Sequence, residues 1–112
     1  MAVSEEMYIE ILTLFCEMKD DKQKQLKSFV ENEDWNNYTI SIHGLKSNSL
    51  NIGGQRLSKQ CLALETAGKA IKAGNNTEEN IRYIKENHSE AERLLDETVT
   101  VALEYLKTKE GQ

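Results

Sequence analysis

The chain has 112 residues, a length that suits one domain with a core of modest size, over residues 1–112. Its formal net charge of −5 leaves no basic stripe to neutralise phosphates, and its apolar runs are too short to span a bilayer. We therefore expect neither a nucleic-acid partner nor direct membrane contact. Proline is absent and helix-forming residues dominate, which predicts an all-α domain.

The N-terminal region carries two apolar stripes that a polar stretch separates. Ser4 and the two glutamates after it make a good helix start, because a hydroxyl caps the first turn and acidic groups favour the positive end of the helix dipole. No residue between 19 and 25 is apolar, so we favour two helices, over residues 4–18 and 21–32. The alternative is a single kinked helix over residues 4–32.

The remaining three helices are predicted over residues 35–52, 55–73 and 77–107, with a polar tail that frays beyond the last one. Gly53 and Gly54 end the first of these helices, and so short a turn places the next helix antiparallel beside it. Amphipathic helices of this kind bury their stripes by closing together. We expect an antiparallel up-and-down four-helix bundle with a short additional N-terminal helix. The core-facing seam of the helix over 35–52 is Trp35, Tyr38, Ile42, Leu45, Ser49 and Ile52.

The histidines and cysteines form no recognisable metal or cofactor motif. No glutamate lies three residues before His43 or His88, and Cys16 and Cys61 lack the close spacing of a zinc or haem site. No nucleophile elbow or phosphate-binding loop is present in the sequence either, so we expect no metal, no cofactor and no autonomous enzyme activity. With no signal peptide ahead of them, both cysteines are expected to be buried, reduced thiols of a cytoplasmic protein. His88 faces the seam of the last helix, where we interpret it as a partly buried structural residue.

His43 is the residue that the sequence singles out for chemistry. It lies about 100° round the helix from Ile42 in the seam, and therefore at the edge of the core or in solvent. The adjacent Gly44 costs a helix about 1 kcal/mol relative to alanine, which suggests that another molecule approaches closely here. The alternative is an ordinary surface histidine. Three residues at helical spacing continue the same exposed face, namely Lys46, Ser47 and Leu50.

The stretch around His43 carries a family resemblance. The segment H-G-L-K-S-N-S-L-N-I-G-G from His43 to Gly54, and then L-x-x-x-C-x-x-L-E up to Glu65, resembles the signature of histidine-containing phosphotransfer (HPt) domains. The family pattern is His-x-Leu-Lys-Gly-x-Ser/Ala, a hydrophobic-Gly pair, and later a Leu-Glu or Leu-Gln. Ser47 stands where the family usually has glycine; serine is still small, and its hydroxyl is able to hydrogen-bond the imidazole or a phosphoryl oxygen. The upstream Y-I-E-I-L-x-x-F and E-D-W segments also resemble this family.

The resemblance implies a carrier in a multistep phosphorelay. His43 would accept a phosphoryl group on Nε2 from the aspartyl phosphate of a receiver domain and pass it to another receiver. The receiver domains would supply the Mg²⁺. Lys46 would offset the negative charge of the phosphoryl group, and Glu65 would accept a hydrogen bond from Nδ1–H and orient the ring. We expect Lys46 to be exposed. The response-regulator receiver would dock on a face that includes Ile40, Gly44, Ser47 and Leu50.

The context that the resemblance implies is either a free-standing protein or a module of a hybrid sensor kinase, and we favour the module. It would act as a monomer in the cytoplasm or as the cytosolic part of a membrane-bound kinase. Two alternatives remain: a receiver-docking scaffold that is never phosphorylated, and a helical adaptor or dimerisation bundle. The presence of both His43 and Lys46 speaks against the scaffold.

Overall fold

A computed structural model describes residues 4–110 as four α-helices with short connections: α1 (Glu5–Glu31), α2 (Trp35–Asn51), α3 (Gln55–Lys72) and α4 (Thr77–Glu110). Each helix packs against its neighbours along the chain, and α4 packs back against α1. The Tyr8 hydroxyl near the start of α1 donates to the carbonyl of Ile52 just after α2, as expected for antiparallel neighbours. The predicted all-α, up-and-down four-helix bundle is confirmed.

The predicted break in the N-terminal region is wrong, because α1 is one continuous helix and residues 4–110 contain no additional short helix before it. The segments predicted as separate helices, residues 4–18 and 21–32, join without a glycine or proline between them. Two polar side chains at the predicted break have a partner on α4: Lys19 Nζ lies 2.7 Å from Asp96 Oδ1, and Gln23 donates to the same oxygen at 3.1 Å. These polar residues therefore contact a neighbouring helix while the backbone stays helical.

The two helices that carry His43 and Glu65 begin and end at local signals in the sequence. Asp34 caps α2, since its Oδ1 accepts a hydrogen bond from the backbone N–H of Asn37 at 3.3 Å. The turn into α3 needs Gly53, whose φ is +83°, a left-handed value that glycine adopts without strain. The next residue, Gly54, donates its N–H to the Ser49 carbonyl at 2.7 Å. This turn folds α3 back along α2.

The core consists of the apolar stripes of all four helices. The seam predicted over residues 35–52 is confirmed, because its five members in α2 and Ile52 just after it are all buried. In α3, Cys61 has no exposed surface, whereas Cys16 of α1 is only half-buried, contrary to the prediction. The buried side chains of α3 also include Leu57, Leu64 and Ala67, and those of α4 include Ile84, Ala91 and Leu95.

The last helix continues beyond its predicted end at residue 107 to Glu110, so the predicted end is wrong and the chain is helical through that residue. Lys109 lies 2.6 Å from Glu5 of α1 and sits over the Tyr105 ring, which gives the final turn tertiary contacts. The rest of the predicted tail, residues 111–112, lies outside the described residues. Within residues 4–110, no helix combines the length and apolar composition that a bilayer crossing requires.

Candidate functional site

The site is built across the α2–α3 pair, where an exposed imidazole meets a buried carboxylate. The His43 side chain is 58% exposed, whereas that of Glu65 is only 2% exposed. Nδ1 of His43 lies 2.5 Å from Oε2 of Glu65, so the ring is held on its Nδ1 side. None of the hydrogen bonds found among residues 4–110 involves Nε2 of His43. The second ring nitrogen is therefore left for a group outside the bundle.

Glu65 is held by two lysines in addition to His43. Lys46 Nζ donates to Oε1 at 2.6 Å, and Lys69 Nζ lies 3.5 Å from Oε2. Burial alone would raise the pKa of the Glu65 carboxyl, but hydrogen bonds from Lys46 and His43, with the charges of both lysines, hold this pKa below its usual value. Glu65 is therefore ionised at neutral pH. A carboxylate only accepts hydrogen bonds, so Nδ1 carries the proton and Nε2 of the neutral ring has the lone pair.

Lys46 is less accessible than the sequence predicts. Its side chain is only 24% exposed, which makes the prediction of an exposed lysine wrong. The reason is its short contact with the carboxylate of Glu65, which draws Nζ towards the α2–α3 contact. The backbone carbonyl of Lys46 also accepts a bond from the Ser58 hydroxyl of α3 at 3.1 Å. Lys46 thus joins α2 to α3 through both its side chain and its backbone.

Lys69 is a member of this cluster that the sequence reasoning missed. It lies one helical turn after Glu65 on α3, and its side chain is 67% exposed. The spacing of four residues from a glutamate was the available signal, because residues i and i+4 are neighbours on a helix surface. The cluster therefore contains one carboxylate, one imidazole and two ammonium groups.

The four residues predicted for a docking face lie outside the Glu65 cluster, on or beside the outward face of α2. Ile40 and Leu50 are 61% and 60% exposed, and Ser47 is also exposed. Gly44 is partly exposed, and a methyl group added there would meet no atom within 4 Å. No hydrogen bond found among residues 4–110 joins Ser47 to His43. The surface beside the imidazole is therefore open and partly apolar.

A second polar cluster is buried between α2 and α4. Nδ1 of His88 lies 2.8 Å from the hydroxyl of Tyr38, and His88 is only 7% exposed, more buried than predicted. Burial raises the pKa of Tyr38, so its hydroxyl stays protonated and shares this hydrogen bond with Nδ1. Burial also lowers the pKa of His88, although Glu92 opposes this effect. Nε2 lies 3.1 Å from Oε1 of Glu92, but its alignment is too poor for a hydrogen bond.

Potential metal ligands are scattered over the bundle. Within the part of the chain that the structure describes, no three His, Cys, Asp or Glu side chains are grouped so that they could hold a metal ion.

A family model described as the Hpt domain matches residues 10–101 of the chain. The matched range contains His43, Lys46, Glu65 and Lys69, as well as the buried pair Tyr38 and His88. No curated protein and no solved structure matches the chain.

Proposed function

Because the chain belongs to the Hpt domain family, we propose that it accepts a phosphoryl group on His43 from a receiver-domain aspartyl phosphate and passes it to another receiver. Hpt domains are phosphotransfer carriers of two-component phosphorelays, not autonomous enzymes, and they interact with the receiver domains of response regulators. The observation that carries the assignment to His43 is the contact between its Nδ1 and the buried carboxylate of Glu65.

The proposed step is an in-line displacement at phosphorus. The lone pair on Nε2 of His43 attacks, the N–P bond forms, and the P–O bond to the receiver aspartate breaks. The electron pair of that bond leaves with the aspartate carboxylate, while the Nδ1 proton stays in its hydrogen bond with Glu65. Transfer to the second receiver reverses these changes. The receiver would supply the Mg²⁺ that neutralises charge on the transferring group, so the chain itself needs no cofactor.

Glu65 acts in this proposal as a positioning residue. Its 2% exposure keeps it away from the receiver, and its short bond to Nδ1 fixes both the tautomer and the direction of the ring. Lys46 keeps the carboxylate in place through the 2.6 Å bond to Oε1. Its ammonium group lies one helical turn from His43 and places positive charge near the phosphoryl group before the reaction begins.

The receiver is proposed to dock on the outward face of α2 and on the adjoining part of α1. Ile40 and Leu50 offer exposed apolar surface, while Gly44 and Ser47 leave room for close approach. Leu14 of α1 is 58% exposed and extends this apolar surface across a groove between the two helices. The groove is lined by Ile11, Leu14, Phe15, Met18, Asn48 and Asn51.

Transfer from charged receivers tests the proposed function. Receiver domains are phosphorylated with labelled acetyl phosphate, freed of the reagent and mixed with the chain. We expect acid-labile, alkali-stable label on the wild type and none on His43→Gln, with circular dichroism showing that the variant is folded. Label that persists in His43→Gln would place the acceptor elsewhere, and a wild type that no receiver labels would refute the phosphorelay assignment.

We also propose that the domain works as a cytoplasmic monomer and as a module of a hybrid sensor kinase. A carrier of this kind depends on a kinase and a receiver for its phosphoryl group, which favours their presence in one polypeptide. The coding sequence next to this domain is the direct test. A kinase core and a receiver upstream in frame would support the hybrid arrangement, whereas a stop codon ahead of the domain would refute it.

A further inference from the structure

The two lysines that contact Glu65 differ in burial and distance. Lys46 is 24% exposed and lies 2.6 Å from Oε1, whereas Lys69 is 67% exposed and lies 3.5 Å from Oε2. An exposed ion pair such as that of Lys69 is weak, because water screens the attraction and the long side chain loses conformational freedom. The contact of Lys46 is therefore costly to break, and that of Lys69 is not.

The charges of the cluster also leave one lysine in surplus. The single negative charge of Glu65 is balanced by Lys46, which has the shorter contact. Releasing Lys46 would leave a buried carboxylate without its closest cation, an unfavourable state. Releasing Lys69 leaves the pair of Lys46 and Glu65 intact. The contact between Lys69 and Glu65 can therefore be broken without leaving the carboxylate unpaired.

Lys69 is also next to the reacting ring. Its Nζ and Nδ1 of His43 both contact the same oxygen, Oε2 of Glu65. A flexible stem of four carbons joins Nζ to the backbone, so the ammonium group can move around the edge of the imidazole. A phosphoryl group on Nε2 would bring more negative charge than Glu65 and three strong acceptor oxygens into this region.

We propose that Lys69 leaves Glu65 and binds the phosphoryl oxygens when Nε2 of His43 is phosphorylated, while Lys46 stays on Glu65. This inference rests on the proposed function and gives the two lysines different roles. Lys46 fixes the carboxylate that orients the ring, and Lys69 contacts the transferred group directly. The exchange moves no proton or electron pair, because Lys69 remains an ammonium ion and only changes its hydrogen-bond acceptor.

The test compares Lys69→Ala with Lys72→Ala, a control with the same change in net charge. Lys72 is an exposed lysine in the last turn of α3, with no ion pair to Glu65 among residues 4–110. The measured quantity is the equilibrium constant for phosphoryl transfer from a charged receiver to His43. We expect about a tenfold decrease in Lys69→Ala, the size typical of one charge-assisted hydrogen bond, and no change in Lys72→Ala.

Two further measurements separate a direct contact from a structural effect. The pH midpoint at which the phosphoryl group takes up a proton, followed by ³¹P NMR, should rise in Lys69→Ala and return towards wild type in Lys69→Arg. The melting temperature should fall in Lys46→Ala and stay unchanged in Lys69→Ala. Phosphoramidate, a small-molecule phosphoryl donor, charges each variant for the NMR experiment without the need for a receiver.

The outcomes distinguish the inference from the proposed function. If the wild type is labelled on His43 and Lys69→Ala matches Lys72→Ala in both the equilibrium constant and the ³¹P midpoint, Lys69 does not bind the phosphoryl group. If the ³¹P midpoint rises more in Lys46→Ala than in Lys69→Ala, the roles of the two lysines are reversed and the inference is overturned. A wild type that neither receivers nor phosphoramidate can label on His43 refutes the proposed function itself.

Discussion

Replacing Glu65 by alanine removes the acceptor for Nδ1 of His43 and for the ammonium group of Lys46. Both contacts are short, at 2.5 and 2.6 Å. A hydrogen bond to a charged group contributes about 1.5–3 kcal/mol. If the bond to Nδ1 acts fully in the transition state, its loss slows phosphoryl transfer by about tenfold to a hundredfold. The ring of His43 then rotates freely and has no fixed tautomer.

Glu65→Gln is the matched control for this prediction. The glutamine amide has almost the same size, and its oxygen still accepts the bond from Nδ1–H, so the orientation of His43 is kept. We therefore expect Glu65→Gln to transfer faster than Glu65→Ala. A comparison of the two variants separates the loss of the acceptor from the loss of the charge.

Single-turnover transfer from a charged receiver, measured over a range of receiver concentrations, is the suitable assay. The maximal rate should fall in Glu65→Ala while the half-saturating concentration stays unchanged, because a side chain that is 2% exposed cannot contact the receiver. A wild-type rate in Glu65→Ala would refute the orienting role. A higher half-saturating concentration at an unchanged maximal rate would show that Glu65 acts on docking instead.

Four further predictions concern packing, pH and docking. Tyr38→Phe removes the hydroxyl that is hydrogen-bonded to Nδ1 of His88 and should lower the free energy of unfolding in urea by about 1–3 kcal/mol; an unchanged value would contradict the buried bond. Burial holds the pKa of His88 below that of the unfolded chain, so wild-type stability should fall as the pH drops below about 6.5, and a flat profile there would contradict this. Gly68→Ala should destabilise the α2–α3 contact by about 1–3 kcal/mol in thermal melts, since the added methyl overlaps the Thr39 hydroxyl; a wild-type melt would show that the helices shift apart easily. Gly44→Ala, with open space around it, should stabilise the helix by up to about 1 kcal/mol yet slow transfer from the receiver; unaltered transfer would exclude close docking there.

Much of the fold follows from the sequence, because the spacing of apolar residues along each helix indicates which face is buried. The seam of α2 from Trp35 to Ile52 was predicted in full, and the paired glycines after it gave the turn into α3. The continuity of α1 was missed for a physical reason. Lys19 and Gln23 look like an interruption along the chain, but their partner Asp96 lies on α4, far away in sequence.

The composition of the site and the contact between His43 and Glu65 could be predicted, but the contacts of the two lysines with Glu65 could not. The motif indicated His43, Lys46 and Glu65, and the structure brings all three together. The exposure of Lys46 depends on where Glu65 lies in three dimensions, which helix spacing alone does not give. Lys69 was overlooked because an exposed lysine one turn after a glutamate is common on helix surfaces, and only the position of Glu65 beside His43 makes this one distinctive.

In the proposed reaction, Nε2 of His43 accepts the phosphoryl group while Nδ1 keeps its proton and donates it in a hydrogen bond to Glu65. Nitrogen NMR of the ¹⁵N-labelled imidazole, recorded before and after incubation with a charged receiver, measures this directly. We expect phosphorus coupling at Nε2 of His43, a protonated Nδ1, and unchanged signals from His88. Phosphorus coupling at Nδ1 or at His88, or no coupling at any ring nitrogen, would contradict it.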